Sequence, residues 1–364
     1  MKDRKFSGRS LTVISAAAVV VMVLITALSA FLFQRLIDKS LEGTEKTEIK
    51  YYSYHFALVA PDYDDPFWVS VWNAANESAG GMDAYVEWVG RELQEEFSLT
   101  ELMRAAIEAS VDGILVKPDG SSEMNELINE AVERGIPVIT MLSDALGSER
   151  QGFMGYNSYD LGLIYGEQVL KAIEEYEAQV LVEPQGAVLK NDPLKVTVLF
   201  DNESAVNDQN IILSGIVETV ESSGSQTETS ISIVTTDNRN VFGAEEAIRE
   251  LVVNPLSAPD VLICLNSTNT LCAYQAVVDY NRVGSVVILG YYDSEDILGA
   301  VKKNIIQATV SVDSSEIGSG ACVALYECVV SGRTNDYAVG SLNVITSENV
   351  DRYLSANKKA EVNS

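Results

Sequence analysis

The sequence predicts an α/β protein of two similar lobes with parallel, doubly wound sheets, preceded by one transmembrane helix. Three observations carry this reading. Short apolar runs alternate with helical patterns from Tyr54 onward, which signals βαβ units and sheets covered by helices on both faces. The rhythm restarts after an irregular stretch at Glu177–Asp192, giving two halves and a cleft between them. Upstream, Leu11–Phe33 is 23 residues without a charge, long enough to span a bilayer.

The chain has 364 residues, 47% of them hydrophobic, enough for large cores. Net charge is −28; the first 35 residues carry +4, so the remainder carries −32. A surface that acidic repels phosphate backbones and excludes nucleic acid as a natural partner. The apolar segment is longer than an ordinary signal-peptide core, and Phe31–Phe33 continues it past the weak cleavage site at Ala27-Leu28-Ser29. It reads as an uncleaved anchor. Lys2, Arg4, Lys5 and Arg9 precede it, which orients the N-terminus to the cytoplasm and the main chain outside a bacterial cell membrane. Residues 1–10 are then a basic tail, 11–33 the anchor and 34–53 a charged linker.

Phe56–Val59 is a buried strand. Asp65 caps a helix opened by Pro66, whose preset φ and missing N–H suit the first helical position. That helix stops at Gly80-Gly81. Tyr85–Val89 is a strand, and Ser98-Leu99-Thr100-Glu101 is a capping box opening a helix to about Ala109. Gly113–Val116 is a strand, Glu123–Arg134 a helix closed by Gly135, and Pro137–Leu142 a strand. Tyr159–Glu175 is a helix. In the second half, strands are expected at Lys195–Phe200, Ser230–Val234, Val261–Leu265, Val286–Gly290 and Ala308–Val312. Helices alternate with them at Asn207–Glu221, Val241–Val253, Leu271–Asn281, Ser294–Asn304 and Ser315–Ser331. The tail from Tyr353 is polar and expected to fray.

Reactive chemistry is scarce. The single histidine, His55, lies in the first strand pattern and reads as a packed residue. It supplies neither a multi-histidine metal site nor a nucleophile–base pair. No phosphate loop and no dinucleotide fingerprint is present. Asp62, Asp64 and Asp65 lack the glycine and distal acid of a calcium loop, so no metal and no cofactor is expected. Cys264, Cys272, Cys322 and Cys328 have no C-x-x-C spacing and read as buried free thiols. A two-lobed protein without reactive groups is expected to bind rather than catalyse.

The candidate site begins at Asp65, Phe67 and Trp68, just beyond the carboxyl end of the first strand, where ligands bind in open α/β sheets. Aromatic faces stack on C–H surface while carboxylates accept hydroxyl protons. The alternative is that Phe67 and Trp68 simply pack the helix against the core.

Asp65-Pro66-Phe67-Trp68, Val111–Val116, Gly135–Thr140, Gly155-Tyr156-Asn157 with Gly162, Asp260–Asn266, Gly290-Tyr291-Tyr292-Asp293, and Ala308-Thr309-Val310 with Gly318 carry a resemblance. In that order, from about Tyr54 to Val350, they resemble the type I periplasmic sugar-binding proteins, the ribose- and galactose-binding class serving ABC transporters. Lactose-repressor-type transcription factors share the ligand domain, but a membrane span stands where their DNA-binding head would be.

The resemblance implies Rossmann-like lobes joined by a three-crossing hinge, near Asn157, Val312 and Val339. The lobes would comprise 54–157 plus 313–338 and 158–312 plus 339–352, with 353–364 a flexible tail. It implies ligand contacts from Asp65, Phe67, Trp68 and Asn266, and, allowing small register slips, from Asp144, Tyr292 and Asp293. Family pocket positions fall instead on Leu142, Ile212, Tyr292 and Val312, which departs from the sugar-binding pattern. The expected role is capture of a small carbohydrate-like ligand for a membrane permease. The alternative is a sensory or protein-interacting module reporting to a membrane histidine kinase.

Overall fold

The computed structural model describes residues 51–363 apart from 64, 94–96, 183–192, 203–205, 226, 238–240 and 255–257, together with residues 22 and 28. The expected basic tail, anchor and most of the linker, and also Asp64, lie outside the described residues; Met22 and Leu28 are helical. Among the described residues no helix is long and apolar enough to cross a membrane.

Tyr52–Ser364 is one unit built on two six-stranded sheets. The first half contributes β1 (Tyr54–Val59), β2 (Ala84–Trp88), β3 (Gly113–Val116), β4 (Val138–Met141) and β5 (Gly152–Gly155). Between them lie α1 (Pro66–Gly80), α2 (Leu99–Glu108) and α3 (Ser122–Glu133). The second half runs α4 (Ser158–Val182), β6 (Leu194–Asp201), α5 (Val206–Ser222), β7 (Thr229–Thr236), α6 (Val241–Val253), β8 (Val261–Cys264), α7 (Ser267–Asp279), β9 (Val287–Tyr291), α8 (Glu295–Lys302) and β10 (Ala308–Val312). The chain ends with α9 (Ser314–Ser331), β11 (Tyr337–Val339), β12 (Leu342–Thr346) and α10 (Val350–Asn363).

The strand orders are β11-β5-β4-β3-β1-β2 and β12-β10-β9-β8-β6-β7. Every pairing is parallel except β10 with β12, so the second sheet carries one antiparallel edge strand. Strands covered on both faces read as continuous apolar runs, and β3, β4 and β8 are buried throughout. Period-two alternation then splits each strand between two cores. In β1, Phe56 and Leu58 join one cluster with α1 and α9, while Ala57 and Val59 join another with α2 and α3. The outer edge of β2 is closed by α1. Asn76 and Trp72 donate to the Val86 carbonyl at 3.1 and 2.9 Å, and the Val86 N–H donates to Asn76 at 3.0 Å.

Two close helix contacts depend on glycine. A Cβ on Gly318 of α9 would meet the Val71 carbonyl of α1 at 2.1 Å, and one on Gly162 of α4 would meet the Ile212 carbonyl of α5 at 2.2 Å. The two lobes thus use the same device at corresponding places.

The chain passes from sheet to sheet between β5 and α4, between β10 and α9, and between β11 and β12. The crossings are bonded laterally: Gly340 N–H donates to the Gly155 carbonyl at 2.8 Å and Asp313 N–H to the Ser341 carbonyl at 2.9 Å. Val339 still pairs with Gly155, so the last crossing falls at Gly340-Ser341.

Three local expectations need correction. Residues 177–182 continue α4 rather than forming an irregular segment; the rest of that stretch, 183–192, lies outside the described residues. The tail from Tyr353 is helical in α10, because Tyr353 and Leu354 pack on the second lobe's core and Asp351 pairs with Lys302 at 2.7 Å. His55 is not packed inside. Its ring stacks on Tyr85 and its Nε2 pairs with Glu87 at 2.8 Å, with both side chains more than a third exposed. The four cysteines are buried and free, and burial pushes the Cys322 thiol up to about 12.

Candidate functional site

The site lies where carboxyl ends of strands from both sheets meet. Asp65 follows β1 and caps α1 in extended conformation; its Oδ1 accepts the Phe67 N–H at 2.9 Å. Its Oδ2 accepts a hydrogen bond from the hydroxyl of Tyr292, which follows β9 in the other lobe. Burial raises the Asp65 pKa and Asp62 adds to the rise, while the bonds from Tyr292 and Phe67 oppose it.

A cavity of about 230 Å³ opens beside this contact. Asp65, Phe67 and Ser70 line it from α1; Tyr292, Asp293 and Ser294 from the β9–α8 turn; and Val312 to Ser315 from the second crossing. Asn343 and α10 residues Arg352, Tyr353 and Ala356 complete it. The lining therefore includes three carboxylate residues, one arginine, several hydroxyl residues and Phe67. Such a surface offers acceptors and donors to a small polar molecule and one apolar face for its C–H side.

Asp293 is pushed up to about 6, first by burial, then by the charges of Asp65 and Asp313; a hydrogen bond with Ser311 opposes the rise. The Tyr292 phenol is raised far above its ordinary value by burial and by Asp65, so it remains a donor.

Three non-glycine residues with left-handed backbone follow strands of the two sheets, Asp62 after β1 (φ 52°), Leu142 after β4 (φ 61°) and Tyr292 after β9 (φ 90°), and of these Tyr292 lines the cavity. Strained backbone of this kind concentrates at functional sites.

The other candidate residues are placed differently. Phe67 meets Tyr292 at 5.5 Å between ring centroids. Trp68 is not among the residues lining this cavity. It is 5% exposed, packs in the first lobe's core and meets Phe67 edge-on. Asn266 caps α7, its Oδ1 accepting the Asn269 N–H at 2.8 Å, and it also stands outside this cavity.

Asp144 is engaged within its own lobe. Both its oxygens bind Arg150, at 2.6 and 2.7 Å, and Thr140 Oγ1 and the Ala145 N–H add bonds of 2.9 and 2.8 Å. Burial alone would raise its pKa, but the Arg150 bonds and charge, with Thr140 and Ala145, hold it below the usual carboxylate range. Arg150 also reaches Asp336 at 2.6 Å, just ahead of β11. Ile212 is buried in the second lobe's core beside the α4–α5 contact, whereas Val312 is a buried wall of the cavity.

The sequence reading did not single out Ser70, Ser294, Asp313, Asn343, Arg352 or Tyr353. Asp313 had a local signal, as a capping residue between a strand and a helix at a crossing, and its Oδ1 accepts the N–H of Ser315 and of Glu316. Arg352 and Tyr353 had none, because only packing of α10 brings them to the cleft. Among the described residues no cluster of histidine, cysteine or carboxylate side chains is arranged to hold a metal ion.

Known proteins of the same architecture exist. GanP, a glucose-galactose binding protein from Geobacillus stearothermophilus, superposes with a TM-score of 0.65 at 20% identity, covering 81% of this chain and 98% of its own. AraP, an arabinose binding protein from the same organism, gives 0.67 at 18%, covering 82% and 99%. The XylFII–LytSN complex supplies a chain at 0.61 and 22%, covering 81% and 98%. At these identities the likeness is one of fold. No curated protein sequence matches the chain. The family model described as "Periplasmic binding protein domain" matches residues 56–333, most of the two-lobed unit. With its paired α/β lobes, three crossings and interlobe cleft, the chain belongs to the type I periplasmic binding protein family.

Proposed function

We propose that this protein is a membrane-anchored, extracytoplasmic binding protein that takes a small carbohydrate-like ligand between its lobes and presents it to an ABC-type importer. The observation that carries the reading is the interlobe cavity, where Asp65, Asp293 and Asp313 offer acceptors beside Phe67. Hydroxyl groups donate to such carboxylates, and a sugar's C–H face packs on an aromatic ring. Similar folds described as binding glucose and galactose, arabinose or D-allose support the ligand class. The protein acts by binding and not by catalysis; its family and its similar structures are binding proteins. Anchoring through Leu11–Phe33 places the lobes outside the cell membrane.

A second reading has a specific observation behind it. One similar protein, XylFII, is found in complex with a second protein, LytSN. By analogy, this chain would report lobe closure to a membrane sensor kinase instead of delivering its ligand.

The test is a thermal-shift screen of the full chain in detergent micelles against pentoses, hexoses, their phosphates, nucleosides and polyols. A ligand that binds only the folded state raises the melting temperature by mass action, by an amount that grows with ligand concentration. A concentration-dependent shift from one sugar class supports the reading. A flat response across the panel refutes carbohydrate capture.

A further inference from the structure

We propose that Tyr292 is a built-in stand-in for a ligand hydroxyl, holding the two lobes together when the cleft is empty, so that a ligand must displace it from Asp65. The proposal rests on reading the cleft as a ligand site.

Tyr292 belongs to the second lobe by its backbone. Its N–H donates to the Val310 carbonyl at 2.8 Å, and its own carbonyl accepts the Thr309 hydroxyl at 2.6 Å. Its side chain belongs to the first lobe by its contacts. The hydroxyl donates to Asp65 across 227 positions of sequence, and the ring leans on Phe67. The same ring packs against the core clusters of both lobes. A backbone φ of 90° aims it there, a conformation costly for any residue with a Cβ and sustained only where surrounding contacts over-determine it.

The chemistry of the contact is that of a ligand. A neutral hydroxyl meets a half-buried carboxylate, and an aromatic ring leans on the phenol ring. A smaller side chain at position 292 would leave more of the cleft open. With Tyr292 present, the remaining cavity of about 230 Å³ falls below the roughly 300–1,000 Å³ typical of small-molecule sites.

The latch also reaches the hinge. Tyr292 stacks on Tyr291 at 6.4 Å, and Tyr291 lies 6.3 Å from Tyr156 at the first crossing. The Tyr156 carbonyl accepts the Tyr337 hydroxyl at 2.9 Å from β11, which leads into the third crossing. Displacing Tyr292 therefore disturbs a tyrosine stack that ends at the residues about which the lobes turn.

The test measures lobe separation without any added solute. Cysteines are introduced at exposed Asp119 in the first lobe and exposed Glu245 in the second, in the full chain in detergent micelles. The native thiols are buried, so spin labels attach at the introduced sites. Double electron–electron resonance then gives the distance distribution. The parental pair should show one dominant short distance. Tyr292→Phe keeps the ring and removes the donor. It should lower the closed-to-open ratio at least tenfold, as expected for loss of a charge-assisted hydrogen bond. Asp65→Asn keeps a capping oxygen and a neutral acceptor, and should give a smaller loss. Circular dichroism verifies that each variant is folded. A parental distribution dominated by the long distance would overturn the latch. So would a folded Tyr292→Phe variant with the parental distribution. Because no ligand enters the measurement, it succeeds or fails independently of the carbohydrate screen.

Discussion

Replacing Asp293 by Asn should make the protein more stable at neutral pH, and the gain should vanish in acid. Asp293 ionises near 6 in the folded protein, against an ordinary value of 3.8. Burial is the main cause, and the charges of Asp65 and Asp313 add to it. Between those two pH values the folded state binds more protons than the unfolded state, so stability falls as pH rises through that window. Above about 6 the penalty is complete. At about 1.4 kcal/mol per tenfold change in acidity, it amounts to about 3 kcal/mol. Asn keeps an oxygen to accept from Ser311 and removes the charge. Urea unfolding followed by circular dichroism from pH 4 to pH 8 gives the difference between Asn variant and parent. That difference should rise from near zero at pH 4 to about 3 kcal/mol at pH 7.5. A difference that does not change with pH, or one that grows toward acid, would refute the assignment of a buried, mutually repelling carboxylate at this position.

Trp68→Ala should cost about 3–5 kcal/mol, read from the denaturation midpoint, because the ring is 5% exposed within the first lobe's core. Arg150→Met leaves Asp144 buried without its partner; a loss of about 3–5 kcal/mol is expected. The Asp144 carboxyl is held low, so its contribution is present above the unfolded value and is lost as pH falls. The deficit of Arg150→Met relative to the parent, read by urea unfolding, should therefore be full at neutral pH and shrink as pH falls through the carboxylate range. Gly162→Ala forces a methyl group against the Ile212 backbone and must part α4 from α5; a loss of about 1–3 kcal/mol should appear in chemical denaturation, with little effect on the distance across α1 and α9.

Whatever depends on neighbouring residues was legible in the sequence. The alternation of apolar runs and helical patterns sets the α/β class, since a strand buried on both faces has no choice but a continuous apolar run. Asp65 before Pro66 and the Ser98–Glu101 capping box are complete within four residues, and both form as read. The short strands β5, β11 and β12 escaped notice, because three to five residues show too little periodicity.

The site was decided by tertiary structure. Phe67 and Trp68 are adjacent and both are buried in the first lobe's core, yet one helical step of about 100° separates them, and only Phe67 also lines the cavity. Asp144 and Arg150 close a local ion pair that no residue-type count reveals, and that pair occupies a carboxylate otherwise suited to a ligand. Tyr292 reaches Asp65 only because the fold brings the carboxyl ends of strands from two sheets together and β9 ends in a left-handed turn. Arg352 reaches the same cleft only because α10 docks there. Local sequence determines which hydrogen bonds a segment can make with itself. Which side chains meet across a cleft is determined by the packing of two separately folded cores.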